Sequence, residues 1–526
     1  MLIATGLYVT IRLGFVQLRG FKHAVAIVRG KYDDPNDEGD LKHYQALTTA
    51  LSATVGIGNI AGVAIAIRMG GPGALFWMWL TAFFGMALKF AECTLAIKYR
   101  KVHKDGSVSG GPMYYIEMGL GKSWKWMAVF FAALAAISSF GSGNMNQSNT
   151  MAVQMQSSFG VPRVLTSFIF AVLVAIVIIG GIKRIGRVTS ILAPAMGMLY
   201  VVGALIILLI NIREVPSGFA LIVSQAFAPE PLVGGGVASF LLTLMWGVRR
   251  GLFSNEAGQG SAPIAHATAK TTEPVREGLV ASLGPFIDTL VICTMTGLVI
   301  VTSGVYKEKV ARSFPVADLE AVVGSQLTDS SLQQLRQQRD GASAGSEVQV
   351  VNGQPAGLGF VSLNAFVEGA SVEDEQGRPW SGRLTLAPSG DVSAPDGELL
   401  TVRGKALYTG AELTSLGFKK GLGSTGQFIV TLAVLLFAVS TAISWSYYGD
   451  RATEYLFGSK AIPIYRWIFV GFFFLGGILP LEAVWTMGDV ALGLMTVPNL
   501  IALVMMSGTI VAMSKDYFSR DHKPTQ

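Results

Sequence analysis

Ten long apolar stretches organise the chain, at about 44–67, 74–98, 125–156, 164–182, 187–211, 236–268, 278–303, 426–447, 462–479 and 485–513. Each can cross about 30 Å of hydrocarbon as a helix rising 1.5 Å per residue. Backbone exposed to lipid must satisfy its own N–H and C=O groups, so only helices and closed barrels span a bilayer. Stretches of this length point to helices rather than strands. Charged residues fill 14% of the 526 positions, against roughly 25% in soluble domains. The expectation is an all-α polytopic protein of the lipid bilayer.

Lysine and arginine in the connections set the orientation. The loops 19–42, 98–125, 183–187, 270–277, 449–466 and 515–526 carry 22 of them, whereas the opposite short loops hold essentially Arg68, Arg163 and Arg213. The basic side is read as cytoplasmic, with the N-terminus outside and the C-terminus inside. This placement also accounts for the net charge of +6, and no nucleic-acid partner is expected. Residues 1–18 lack an n-region and a small-residue cleavage site, so they are not a signal peptide. Short and carrying Arg12, they read as the remaining part of a membrane helix.

The ten stretches divide into five (44–211) and five (236–303 with 426–513) of opposite topology. Gly58-Asn59-Ile60-Ala61-Gly62 in the first is echoed by Ser254-Asn255-Glu256-Ala257-Gly258 in the sixth. An N-x-A-G match in the first helix of each half supports an inverted repeat. Residues 304–425 break the pattern, with 11 Lys and Arg and 14 Asp and Glu. Short segments separated by Gly, Pro, Asn and Asp predict a small β-rich module with a helical start near 316–338. It falls on the outer side, since long loops translocate regardless of charge.

Three interruptions carry the functional reading. GIGNIAG, residues 56–62, stands in the middle of the first stretch, SSFGSGNMNQSN interrupts the third, and WGVRRGLFSNEAGQG interrupts the sixth. Broken helices persist at membrane depth only where they line a cavity. The competing reading is close packing, with Gly58 and Gly62 at the spacing of a helix–helix contact. The Gly247–Gly251 stretch of the sixth helix favours two facing breaks. Free N–H groups there suit an anion and free carbonyls suit a cation.

Asn59 can serve a cation, a carboxylate or a neighbouring helix. Gln147, among Asn144, Asn146, Ser148 and Asn149, belongs either to a site or to an interhelical network. Thr441 and Trp445 share one face, four residues apart. The hydroxyls of Ser440 and Thr441 suit a hard, oxygen-seeking ion or bond back to the preceding turn. Phe253 and Trp445 either wall a pocket or pack. Among Glu92, Glu256, Asp288 and Asp489, intramembrane acids are functional candidates by default. Glu92 is expected to pair with Lys89, and Asp288 is the acid best suited to protons or gating. Cys93 and Cys293 lie in apolar spans, so no disulfide framework is expected. The five histidines are scattered in sequence, and neither metal-ligand spacing nor a phosphate loop is present. An enzyme is not expected.

The stretches ALTTALSATVGIGNIAGVAIAI, GGPGALFWMWLTAFFGMALKFAE, SGGPMYYIEMGLG, WGVRRGLFSNEAGQGSAPIAHA and ISWSYYGDR resemble the alanine or glycine:cation symporter family, also called sodium:alanine symporters. The resemblance covers both halves and implies the leucine-transporter fold. That fold has a 5+5 inverted repeat, here with an extra N-terminal helix and the outer insertion. It implies sodium-coupled symport of alanine, glycine and related amino acids by alternating access, in a cell inner membrane. Carried over by residue, it implies that Asn59, Gln147, Phe253, Thr441 and Trp445 contact the amino acid. The N–H groups of Ile57 and Gly58 would receive its carboxylate. The co-transported sodium would use Ser52, Val55, Phe437, Ser440 and Thr441, and a second sodium would use Thr54 and Asn59.

The insertion is expected either to cap substrate access or to be a tolerated addition. A proton-coupled permease built on Asp288 and a nontransporting amino-acid sensor are the alternatives. No obligate protein partner is inferred.

Overall fold

The computed structural model describes the chain except residues 105, 230–235, 325–326, 330, 341–345, 363–364, 388, 396–397, 480, 523 and 525–526; it describes the backbone alone at 236, 333, 337, 339–340, 346 and 481–489. The side chain of Asp489, one of the four acids singled out above, therefore lies outside the described residues.

Helices α1 (Leu2–Arg12), α2 (His43–Thr54), α3 (Val63–Gly70), α4 (Ala74–Lys98), α5 (Lys125–Phe140), α6 (Asn146–Phe159), α7 (Arg163–Ile178) and α8 (Gly181–Ile210) make up the first part of the membrane body. The second comprises α9 (Gly236–Asn255), α10 (Ala262–His266), α11 (Pro274–Pro285), α12 (Thr294–Ser303), α13 (Gly410–Phe457), α14 (Ile462–Gly476), α15 (Leu481–Met505) and α16 (Ser507–Ser519). Among the described residues, five helical stretches are long and apolar enough to cross a membrane: 74–98, 122–159, 181–210, 274–303 and 410–457, the last kinked at Gly423 (φ +62°). Two further pairs pass together, one bent by 52° between α2 and the 58–70 segment, the other by 60° between α15 and α16.

The first expected break is present. After Thr54 the helix opens at Val55 and Gly56 and resumes through a π turn at Gly58–Gly62. The sixth stretch is also broken, but not where the glycine pair suggested. Gly247–Gly251 is helical, and the chain leaves the helix at Glu256 (φ +53°) before α10 begins. A Cβ on Gly247 would lie 2.4 Å from the Ala74 carbonyl oxygen. That glycine serves the packing of α9 on α4 rather than an unwound segment. In the third stretch the polar run forms a π turn, Gly141–Met145, between α5 and α6, and a third π segment, Phe286–Cys293, joins α11 to α12.

At the N-terminus α1 stops at Arg12, short of the expected 18 residues, because Gly14 and Phe15 turn the chain with positive φ. A separate helix, Phe21–Val28, follows.

Between α12 and α13 the chain forms a module of short strands. Its first strand, Lys309–Pro315, pairs antiparallel with its last, Thr401–Leu407, and Glu368–Glu373 completes that sheet. Two more sheets are built from Ser346–Val351, Gln354–Pro355, Gly382–Leu386 and Val392–Ser393, and from Glu320–Val323, Leu358–Ser362 and Ala365–Phe366. The helical start expected at 316–338 is instead a short 3-10 turn and a strand, and the helix lies at Leu332–Asp340. The module has its own apolar core around Phe360, Val350, Leu384 and Val402. It is fastened to the start of α13 by Arg312, which pairs with Glu412 at 2.8 Å and stacks over Tyr408 at 4.5 Å.

Candidate functional site

A π turn shifts the hydrogen-bond register and leaves carbonyls without their usual partners. In an apolar body those carbonyls need substitutes. Thr296 of α12 donates its hydroxyl to the Asn59 carbonyl at 2.8 Å, and Thr414 of α13 donates to the Ile60 carbonyl at 2.9 Å. The first helix is thus held open by hydroxyls from two neighbours.

Around the break lies a cavity of about 10 Å3, lined by Ala53, Thr54, Gly56, Gly58, Ser142, Gln147, Phe253, Glu256, Trp445 and Leu492. That is room for about one water, so a larger molecule needs these side chains to move apart. Of the expected substrate contacts, Gly58, Gln147, Phe253 and Trp445 line it. Thr441 adjoins it beneath Gly56, where an added Cβ would lie 2.5 Å from Thr441 Oγ1. The Ile57 N–H donates to Gln147 Oε1 at 3.4 Å, and Gln147 donates in turn to the Ser142 carbonyl at 3.1 Å.

Two of the polar neighbours of Gln147 bond to backbone carbonyls at and just beyond α14. Asn144 donates to the Phe469 carbonyl at 2.7 Å, and Asn149 to those of Gly476 and Leu479 at 2.9 and 2.8 Å.

Asn59 is directed away from the cavity. Its Oδ1 accepts the Gly56 N–H at 2.9 Å, while its Nδ2 donates to Asp288 Oδ1 at 2.6 Å and to Ser254 Oγ at 3.2 Å. Ser254 and Thr289 donate to the other carboxylate oxygen of Asp288, at 2.6 and 2.7 Å. Asp288 therefore ties the first broken helix to the sixth.

The expected ion ligands gather on the other side of the break. Ser440 and Thr441 of α13 direct their hydroxyls at the Ser52 carbonyl of α2, at 3.3 and 3.0 Å, and Ser440 also reaches the Phe437 carbonyl at 3.2 Å. Four of the five expected groups thus converge. Val55, expected to contribute its carbonyl, stands at the adjacent opening of the helix. Met196 of α8 contributes a sulfur, 3.2 Å from Ser440 Oγ. The Thr54 hydroxyl bonds back to Leu51, at 3.4 Å, with Thr54 on the cavity wall.

Glu92 Oε2 accepts from Asn499 Nδ2 at 2.9 Å, and the expected pairing with Lys89 on the same helix is not a hydrogen bond, Lys89 Nζ being buried without one. Glu256 lines the cavity, with Trp445 Nε1 donating to Oε1 at 2.9 Å and Ser261 to Oε2 at 2.6 Å. Its sequence signal was the N-x-A-G echo, in which Glu256 is the variable position.

The comparisons with known proteins follow this geometry. The model of the sodium:alanine symporter family matches residues 1–334 and 399–526. The chain belongs to the sodium:alanine symporter family. It is a transporter and not an enzyme. The unmatched residues, 335–398, fall within the module between α12 and α13.

The sodium/alanine symporter AgcS of Methanococcus maripaludis is 39% identical over 519 residues, covering 98% of this chain and 93% of that relative. The amino-acid carrier protein AlsT of Bacillus subtilis is 31% identical over 518 residues, covering 98% and 88%. Among solved structures, MhsT in complex with L-phenylalanine matches with TM-score 0.50 and 12% identity, covering 90% of this chain and 89% of that one. That likeness supports the leucine-transporter fold for this symporter family member.

Proposed function

We propose that the chain is a sodium-coupled symporter that carries alanine, glycine and similar small neutral amino acids into the cell by alternating access. The observation that carries this reading is the convergence of Ser440 and Thr441 on the Ser52 carbonyl, next to a small cavity at the break of the same helix. Hydroxyl and carbonyl oxygens are the donors that a hard cation selects. The Ile57 and Gly58 N–H groups would take the substrate carboxylate, Ile57 exchanging its contact with Gln147 for it. The Glu256 carboxylate offers the ammonium a counter-charge. Phe253 and Trp445 limit the side chain to a small one.

The frame is a 5+5 inverted repeat whose first and sixth helices are broken opposite each other. The N-terminus is outside, the C-terminus is cytoplasmic, and 304–425 lies outside the cell inner membrane. A second sodium, if carried, would draw on Thr54 and Asn59, with the Asp288 carboxylate beside Asn59 supplying charge. The outer module caps substrate access. In support, Thr414 of the helix that follows it donates to the Ile60 carbonyl in the broken first helix.

The test is labelled alanine uptake into proteoliposomes under imposed sodium or proton gradients. Sodium-driven uptake is expected. Uptake driven by a pH gradient alone, indifferent to sodium and abolished in Asp288→Asn, would transfer the coupling role to Asp288.

A further inference from the structure

A second cavity, of about 250 Å3, lies at the far end of the broken first helix. Its lining comes from two parts of the chain. Arg68, in the last turn of α3, and Gln225, of the helix Val215–Phe227, belong to the helical body. Tyr306, Lys307, Lys309 and Asp329 belong to the chain between α12 and α13. No residue lines both this cavity and the one at the break. Arg68 lies ten residues beyond Gly58, about 15 Å along a helix at 1.5 Å per residue.

Local sequence explains how a guanidinium comes to stand here. Arg68 is the one charged residue of the helix Val63–Gly70, and it sits in the last turn, where a cation is favoured by the helix dipole. Gly71 then turns the chain with φ +73°, which ends the helix at the cavity.

The charges around the cavity are unequal. Among the described residues, three cationic side chains line it, Arg68, Lys307 and Lys309, against the single carboxylate of Asp329. That carboxylate is committed to the fold. Its Oδ1 accepts the Phe366 N–H at 2.7 Å, and its Oδ2 pairs with Lys309 Nζ at 2.8 Å. Lys309 is held as well by Glu368, at 3.0 Å, and Arg68 faces the same Asp329. Even with Glu368 counted, three positive charges stand against two negative ones. A cleft with one sign of charge in excess and low-dielectric walls concentrates its field on an entering ion.

We propose that this cavity binds a small carboxylate. A guanidinium presents two parallel N–H donors that match the two oxygens of a carboxylate, and Lys307 adds a point charge from the other part of the lining. The Tyr306 hydroxyl and the Gln225 amide bring neutral donors. At about 250 Å3 the cavity is smaller than the roughly 300–1,000 Å3 of sites for drug-sized ligands. It has room for an amino acid or a short-chain acid. Bound there, the carboxylate joins Arg68 on the broken helix to Lys307 at the foot of the module, and so stabilises the arrangement that brings the two together. Binding requires neither sodium nor transport.

The test follows the melting temperature of the purified full-length protein in sodium-free buffer, titrated with potassium acetate, potassium chloride or alanine. Acetate should raise it along a saturating curve, and chloride at equal concentration should not reproduce the rise. Arg68→Gln and Lys307→Gln each remove a charged donor, so the half-saturating acetate concentration should increase about tenfold or more in each. Size-exclusion chromatography checks that both variants are folded.

A wild type with no saturable response to acetate, or one matched by chloride, would overturn the proposal without recourse to any variant. So would an unchanged half-saturating concentration in both folded variants. Alanine separates the sources of the carboxylate. A response to alanine that Arg68→Gln weakens extends the site to amino acids, whereas one indifferent to Arg68→Gln belongs to the cavity at the break and confines this site to acids without an ammonium group. Absence of sodium-driven alanine uptake would sink the transport reading and leave the acetate result standing.

Discussion

Removing one hydroxyl from the proposed ion cluster separates ion binding from folding. Thr441→Val keeps the branched shape and deletes Oγ1, which donates to the Ser52 carbonyl at 3.0 Å. That carbonyl retains the Ser440 hydroxyl at 3.3 Å, so the fold loses a single net hydrogen bond, about 1 kcal/mol. This is small beside the 5–15 kcal/mol typical of folded proteins. An oxygen facing a charge is worth more, about 1.5–3 kcal/mol. At 1.4 kcal/mol per tenfold, the sodium concentration for half-maximal uptake should rise roughly 10- to 150-fold. The assay is initial-rate alanine uptake into proteoliposomes across a sodium series, with the folded fraction checked by size-exclusion chromatography. A half-saturation within about twofold of wild type, in well-folded protein, would show that Thr441 is not an ion ligand and refute the assignment of this cluster.

Three further outcomes are expected. Glu256→Gln keeps an acceptor for Trp445 and a polar partner for Ser261 but removes the charge facing the cavity, so alanine affinity should fall about tenfold or more in direct binding; unchanged affinity would place the ammonium elsewhere. Asn59→Ala leaves both the Gly56 N–H and the Asp288 carboxylate short of a partner, at about 1–3 kcal/mol each, so thermal stability should drop along with transport. A melting temperature equal to that of wild type would contradict the Asn59–Asp288 tie. Because Lys309 and Leu407 are paired across adjacent strands, a short glycine-rich link can replace 310–406; faster alanine capture, seen as a raised kcat/KM, is expected if the module is a cap, and unchanged kinetics would make it a tolerated addition.

What could be read in advance follows from how local each signal is. The break in the first helix was legible because glycines at 56, 58 and 62 depart from an otherwise helical, apolar pattern within seven residues. The Ser440–Thr441 pair was legible because hydroxyls at membrane depth need a reason. The break in the sixth helix was misplaced because Gly247 and Gly251 carry the same composition whether they unwind a helix or pack it. The pairing of Glu92 with Lys89 rested on helical spacing, and spacing does not say which way a long side chain turns. One feature depends wholly on tertiary contact. Asn59 and Asp288 are 229 residues apart. No periodicity within one chain segment announces such a meeting.

The π turns at 58–62, 141–145 and 286–293 carry a consequence for how this site could be altered. Each holds surplus backbone relative to an α-helix of the same rise. Deleting one residue from a regular α-helix turns everything beyond it by about 100°, whereas deleting one within a π turn closes the bulge, leaves the flanking turns in place and changes the direction of the residues inside it. Asn59 would then miss Asp288, or Trp445 would lose its bed on Gly143, with every side chain still present in the sequence. In this family member, ligand geometry is held as much by the count of residues between landmarks as by their identity.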